Sequence, residues 1–307
     1  LSERLVELGA EVRALVRYTS TGTAGWLDAS PYRRDIEVIS ADITDREMVG
    51  RAVRGAEVVF HLAALIGIPY SYHAPESYVR TNVEGTLVVL QSALAAGVAR
   101  VVHTSTSEVY GTARRVPIDE DHPLQAQSPY SATKIAADKL AESFHLSFGL
   151  PVTIVRPFNT YGPRQSARAV IPTIITQCLT QDAVRLGNLY PTRDLTYVAD
   201  TVEGFIRAAG CPDAVGATIN LGSGREISVG DLARLIAGLV GRPVAVETQE
   251  ERVRPASSEV ERLLADTSRA RTLLGWEPQV SLSEGLRRTI DWVSLHLDRY
   301  RVGEYAV

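Results

Sequence analysis

The sequence predicts an α/β fold: a parallel sheet with helices on its faces, followed by a smaller α+β lobe. Three observations carry this. Short apolar stretches alternate with helix-length segments through the first half. Those stretches are apolar at nearly every position, as strands covered on both faces are. The rhythm then shortens after about Pro157. Leu1, Leu5 and Leu8 fall at i, i+4 and i+7, one face of a helix, and Gly9 stands where a helix stops. Val12, Ala14 and Val16 alternate as a strand. The repeat continues with strand 36–39, helix 46–53, strand 57–61, helix 75–96, strand 100–104, helix 130–148 and strand 152–155. Such a sheet does not open on an unpartnered helix, so the pattern predicts one more strand and a turn before Leu1. Beyond Pro157 come helix 170–179, strand 195–198, helix 200–208 and strand 217–221. Ser228 is a good N-cap for a helix reaching Val240. Strand 244–247, an Arg- and Ser-rich loop, helix 266–274 and amphipathic helix 283–296 complete the chain.

The 307 residues (33.4 kDa) carry 32 basic and 36 acidic side chains, a net charge of −4. That mildly acidic surface argues against broad attraction to nucleic acid or anionic lipid. The two cysteines, Cys178 and Cys211, supply neither a disulfide framework nor metal-ligand spacing, so no metal is expected and the expected compartment is a reducing cytoplasm. The apolar stretches 57–69 and 87–102 are broken by Gly, Pro, Gln or Arg well short of a membrane span. No basic segment followed by an apolar run opens the chain, and secretion is not expected. Only Lys134 and Lys139 are lysines; the remaining basic residues are arginine. Codon bias accounts for that, and it makes a well-placed lysine stand out.

Lys134 is well placed. The segment Thr104-Ser105-Thr106-Ser107-Glu108-Val109-Tyr110-Gly111 follows a strand, and Tyr130-Ser-Ala-Thr-Lys134 opens the next helix. Tyr and Lys at i and i+4 share one helix face. A phenol with a pKa near 10 is a poor base at neutral pH, and a nearby ammonium favours the phenolate. The pair lies at the C-terminal edge of the sheet, where α/β sites form. The bland alternative is a surface Tyr above a solvated Lys.

Several further motifs stand in order along the chain. They are His61-Leu62-Ala63-Ala64, Thr81-Asn82-Val83-Glu84-Gly85-Thr86 and Arg156-Pro-Phe-Asn159-Thr-Tyr-Gly162-Pro163. Arg193-Asp194-Leu-Thr-Tyr-Val-xx-Asp200 and Leu274-Gly275-Trp276-x-Pro278 follow. With Thr-Ser-Glu-Val-Tyr-Gly and Tyr130-xxx-Lys134, they make the chain resemble the extended short-chain dehydrogenase/reductase family, over almost its whole length. Within that family it is similar to the nucleotide-sugar epimerases and, most of all, the 4,6-dehydratases. The 4,6-dehydratases it resembles include those like GDP-mannose dehydratase and those acting on nucleotide-linked N-acetylglucosamine.

The resemblance implies a Rossmann-type doubly wound sheet binding NAD or NADP, with residues 1–157 and about 193–220 in that domain. Residues 158–192 and 221–307 would form the nucleotide-sugar lobe. The family's Gly-x-x-Gly-x-x-Gly turn has no counterpart here and is expected just before Leu1. Arg17, where NAD-specific members place Asp, points toward NADP, against the alternative of an ordinary exposed arginine. Asp42 and Ile43 would flank the adenine; Leu62, Ala63 and Ala64 would line the nicotinamide side. Thr81 and Thr104 would add cofactor contacts beside Tyr130 and Lys134. On the substrate side, Asn159, Arg193 and Arg254 would hold a nucleoside diphosphate, as Arg suits phosphate. Arg193 could instead pair with Asp194. By family chemistry Tyr130 takes the C4 hydroxyl proton as C4 hydride moves to the nicotinamide. In a dehydratase Glu108 then takes the C5 proton and helps expel the C6 hydroxyl, with Thr106 and Ser107 orienting the sugar. A 4-epimerase or uronate decarboxylase is the alternative. His61 and His103 are read as ordinary strand-end residues. Apolar residues on several faces of helices 75–96 and 130–148 suggest a homodimer through these helices.

Overall fold

The computed structural model describes residues 1–300. Its first five strands are β1 (Val12–Val16), β2 (Ile36–Ser40), β3 (Val58–His61), β4 (Arg100–Thr104) and β5 (Val152–Pro157). After them come β6 (Asn159–Tyr161), β7 (Ala183–Leu186), β8 (Thr192–Tyr197), β9 (Thr218–Leu221), β10 (Glu226–Ser228) and β11 (Ala245–Thr248). All pairing in the first half is parallel. β1 pairs with β2, and a four-stranded sheet runs in the order β3-β4-β5-β9. β1 and β3 do not pair with each other, and each keeps one edge unpaired among the described residues. The smaller sheets are β10-β8-β6 and β11-β7.

Two apolar clusters flank the four-stranded sheet. Val101, Val152, Ile154, Leu90 and Phe144 lie on one side; Val102, Val155, Ile219, Phe205 and Trp276 lie on the other. This two-sided burial is why β4 and β5 read as unbroken apolar runs. A further cluster joins β7 and β8 to helices Val170–Thr180, Val229–Val240 and Leu282–Leu295. Within residues 193–220, β8 belongs to the small sheet, whereas helix Val198–Gly210 and β9 pack on the large one. Trp276 Nε1 donates to the Asp200 carbonyl at 2.9 Å, and Val280 N donates to the Asp200 carboxylate at 3.0 Å, pinning the later chain to that helix.

The expected helix 75–96 is not uniform. An α-turn at Pro75–Tyr78 passes into a wider π-turn at Val79–Glu84 before Gly85–Ala96 resumes regular α-geometry. Asn82 sits in the wide turn, and its buried amide is engaged elsewhere. β6, β7 and β10, three to four residues long, are additional to the expected strands. No helix among the described residues is long and apolar enough to cross a membrane.

His61 of β3 and His103 of β4 are register partners, both buried, with ring centroids 5.5 Å apart. His61 Nε2 shares a hydrogen bond with Thr86 Oγ1 at 2.9 Å, and His103 Nε2 lies 3.3 Å from Asp138 Oδ1. Burial pushes both pKa values down, His61 well below the usual range, and the Asp138 carboxylate only partly opposes this at His103. The fold therefore holds neutral rings, while the unfolded chain binds protons near pH 6.5. Stability is present above that pH and lost as pH falls below it, by up to about 1.4 kcal/mol per pH unit for each ring. The melting temperature should fall between pH 7 and pH 5, and less so in a His61→Gln/His103→Gln variant. Equal pH slopes in the two proteins would contradict this.

Candidate active site

Helix Pro129–Phe148 starts from a capping box. Ser128 Oγ accepts from Ser131 N at 3.1 Å, Ser131 Oγ accepts from Ser128 N at the same distance, and Pro129 takes the first helical position. Tyr130 thus lies in the first turn and Lys134 one turn later, both buried. Lys134 Nζ donates to the Thr104 carbonyl at 2.5 Å, at the C-terminal end of β4. The chain then turns: Thr106 Oγ1 caps a 3-10 turn at Ser107–Tyr110 by accepting from Glu108 N at 3.2 Å. The Thr106 hydroxyl stands beside the Tyr130 phenol and favours its charged form, and Glu108 lies within electrostatic reach of it. The Tyr78 ring meets Tyr130 edge-on at 6.3 Å.

Burial shapes both titrations. It pushes the Tyr130 phenol well above its ordinary value, with the Glu108 charge adding and the Thr106 hydroxyl opposing. It pulls Lys134 down to about 8, against the charge of Asp138. The expectation that the ammonium draws the phenol down is corrected here. Desolvation outweighs it, and the ammonium is turned to the Thr104 carbonyl rather than to the phenol oxygen.

Except for Thr81, the residues expected only to bind cofactor lie at or just beyond the C-terminal ends of parallel strands. Arg17 directly follows β1 and is exposed. Asp42 lies two residues beyond β2; its carboxylate accepts from Thr44 N at 2.9 Å and Thr44 Oγ1 at 2.7 Å. These bonds hold its pKa down, with smaller help from the charges of Arg17 and Arg80. Ile43 is buried against Gly85, where a Cβ would stand 2.6 Å from Ile43 Cδ1. Leu62 and Ala63 are exposed just beyond β3, and Ala64 is half-buried. Thr81 is half-buried in the π-turn. Thr104 Oγ1 is buried without a partner. An orphaned hydroxyl at the end of β4, next to the exposed apolar end of the neighbouring β3, fits the nicotinamide half of NAD(P) in the crevice where α/β proteins bind dinucleotides.

One residue of this wall was present in a motif but not singled out. Asn82 Oδ1 accepts from Leu65 N at 2.8 Å, and its Nδ2 donates to Leu65 O at 2.9 Å and Thr133 Oγ1 at 3.0 Å. It therefore ties the Leu62–Leu65 loop to the helix bearing Tyr130. Asn82→Ala leaves buried polar groups unpaired, at about 1–3 kcal/mol each. The melting temperature should drop by several degrees; an unchanged value would rule out the clamp.

On the opposite side, Arg193 and Arg254 converge on Glu259, which sequence reasoning missed. Glu259 Oε1 lies 3.6 Å from Arg193 Nη2 and 3.6 Å from Arg254 Nη1, while Asn188 Nδ2 donates to Oε2 at 3.0 Å. Arg193 is buried and does not pair with Asp194. Asp194 instead accepts from the backbone of Ser223, Gly224 and Ala265. Burial lowers the Arg193 pKa, and the charge of Glu108 is the largest opposing influence, so the arginine sits between the Glu108 turn and Glu259. Arg254 Nη1 makes no hydrogen bond, and Asn159 Oδ1 is buried without a partner. Two guanidinium groups sharing one carboxylate, one of them with an unbonded Nη1, make an anion-accepting wall, whereas the Asn159 Oδ1 is an acceptor that needs a donor from a ligand. Among the described residues no cluster of His, Cys, Asp and Glu could hold a metal.

Residues 1–289 match the model of the family described as GDP-mannose 4,6 dehydratase. The chain is 36% identical to a UDP-glucose 4-epimerase of Mycolicibacterium smegmatis, over 89% of this chain and 88% of that one. It is 35% identical to a dTDP-glucose 4,6-dehydratase of Streptomyces antibioticus, over 88% and 79% respectively. Among solved structures, DesIV, a dTDP-glucose 4,6-dehydratase from Streptomyces venezuelae crystallised with NAD and TYD bound, superposes with a TM-score of 0.86 at 29% identity, covering 97% of this chain and 94% of that one. Together with the Tyr130–Lys134 pair at the strand ends, these likenesses establish that the chain belongs to the extended short-chain dehydrogenase/reductase family of NAD-dependent nucleotide-sugar dehydratases and epimerases.

Proposed function

We propose that the chain is a nucleotide-sugar 4,6-dehydratase that converts an NDP-hexose, NDP-N-acetylglucosamine among them, to its 4-keto-6-deoxy form. The observation that carries this is Glu108. Its carboxylate is nearly buried, lies within electrostatic reach of Tyr130 and Arg193, and makes no ion pair within 4.0 Å among the described residues. A base beside the C4 acid–base tyrosine is what elimination needs and what epimerisation does not.

A bound nicotinamide supplies the hydride acceptor and donor. Tyr130, neutral in the protein alone, takes the C4 hydroxyl proton in its phenolate form, which the charge of Lys134 together with that of a bound oxidised nicotinamide would favour. Lys134 keeps a positive charge beside the tyrosine's helix turn. Glu108 takes the C5 proton, acidified by the C4 ketone, and passes it to the departing C6 hydroxyl, which leaves as water. Return of the C4 hydride to C6 and a proton from solvent to C5 complete the 4-keto-6-deoxy product. Thr106 and Ser107 orient the sugar. Asn159, Arg193 and Arg254 hold the diphosphate. On the cofactor, Arg17 at the end of β1 supports NADP over NAD, with Asp42, Ile43, Leu62, Ala63, Ala64, Thr81 and Thr104 as its other contacts. The proposed division gives residues 1–157 and about 193–220 to the cofactor and the rest to the nucleotide sugar. The site of action is cytoplasmic.

Incubation with UDP-, GDP- and dTDP-hexoses should give a product lighter by one water. Glu108→Gln should slow elimination by ~10²–10⁴-fold while reduced nicotinamide builds up at 340 nm. Tyr130→Phe should abolish the 340 nm signal. Near-normal product from Glu108→Gln would refute the assignment. The second reading, a 4-epimerase, is favoured by the 36% identical relative and predicts a C4 epimer with no loss of water.

Leu94, Leu146 and Phe148 are exposed on helices Gly85–Ala96 and Pro129–Phe148. These residues support a homodimer through the two helices. Light scattering at micromolar concentration should give twice the chain mass; a monomer would contradict the dimer.

A further inference from the structure

Behind Lys134 lies a buried polar cluster that the reaction above leaves unused. Asp138, one helical turn after Lys134, is 1% exposed. Its Oδ2 accepts from Ser105 Oγ at 2.8 Å and from Arg156 Nε and Nη2 at 3.1 and 3.0 Å. His103 Nε2 is 3.3 Å from Oδ1. Arg156 Nη1 in turn donates to the Tyr110 hydroxyl at 3.0 Å, and that hydroxyl donates to Asn220 Oδ1 at 2.7 Å.

We propose that Asp138 is a positioning residue: it keeps Lys134 charged and fixes the two backbone segments that carry Thr104, Thr106 and Glu108. Ser105 stands between Thr104, whose carbonyl receives the lysine, and Thr106, whose hydroxyl meets Tyr130. Tyr110 closes the turn that presents Glu108. One carboxylate therefore holds both ends of the catalytic segment.

The charge argument is equally local. Lys134 is faced by Asp138 from its own helix, His61 from β3 and His103 from β4, while Tyr130 stands one turn before it and Arg156 of β5 lies beyond, on Asp138. The phenol and both imidazoles are neutral, and Arg156 is a cation. Asp138 is the charge that opposes the burial of Lys134. Removing it leaves the ammonium desolvated beside an unpaired guanidinium.

The role in turnover rests on the proposed reaction, but its test needs no substrate. With only two lysines, isotope-labelled lysine gives two side-chain NMR signals, and Lys139→Arg assigns them. Lys139 is exposed and paired with Glu142, outside the site. Lys134 of the unmodified protein should titrate near 8. Asp138→Asn should move that titration down by about one pH unit or more, and Asp138→Glu should restore it. The alkaline limb of 340 nm formation with the active NDP-hexose should move by the same amount. Breaking a buried ion pair destabilises, so Asp138→Asn/Arg156→Met, which removes both charges, guards against an unfolded single variant. The double variant should show a smaller downward shift, because a nearby cation is removed together with the carboxylate. An unmoved Lys134 titration in either folded variant overturns the proposal. A shifted lysine with no turnover of any nucleotide sugar supports Asp138 and refutes the reaction instead.

Discussion

The hydrogen bond from Lys134 to the Thr104 carbonyl organises this molecule. It joins the first turns of helix Pro129–Phe148 to the end of the central strand β4. A buried ammonium has lost its water, so it must find an oxygen, and here it finds the strand-end carbonyl of Thr104. Once that bond is made, Tyr130 faces Thr106, and the chain leaving β4 must turn through Glu108 above it. The apolar cover of the sheet excludes water from this junction. That exclusion is also why burial, rather than any one neighbour, dominates the titration of Tyr130, Lys134, His61 and His103.

Hydrogen bonding to charge is uneven around the junction. On the far side of the Glu108 turn, Arg193 and Arg254 share one carboxylate, Glu259, so the wall retains a positive excess. On the near side, Arg156 and Lys134 share Asp138. Both sides carry two cations to one carboxylate. On the core side, however, Arg156 is hydrogen-bonded to Asp138 and Tyr110, and Lys134 to the Thr104 carbonyl, whereas Arg254 Nη1 makes no hydrogen bond. A negatively charged diphosphate fits the first arrangement and would find no free partner in the second.

Most of this was legible in the sequence. Tyr130 and Lys134 could be placed on one helix face because i, i+4 spacing and Pro129 fix the helix start. β4 and helix Arg46–Val53 match their expected limits because apolar runs and the Asp45 cap define them sharply. What stayed hidden depends on contacts between distant segments. Glu259 meets Arg193 across 66 positions, Asn82 reaches Leu65 and Thr133, and Asp138 gathers side chains from two strands. No local period announces such partners. The π-turn at Val79–Glu84 was invisible for the same reason: its sequence reads as an ordinary helix.

The central claim is that this site eliminates water rather than inverting C4, and hydride bookkeeping tests it most directly. A nucleotide sugar deuterated at C4 should yield a product whose deuterium has moved to C6, with one water lost. Deuterium retained at C4 of an inverted sugar would contradict the claim.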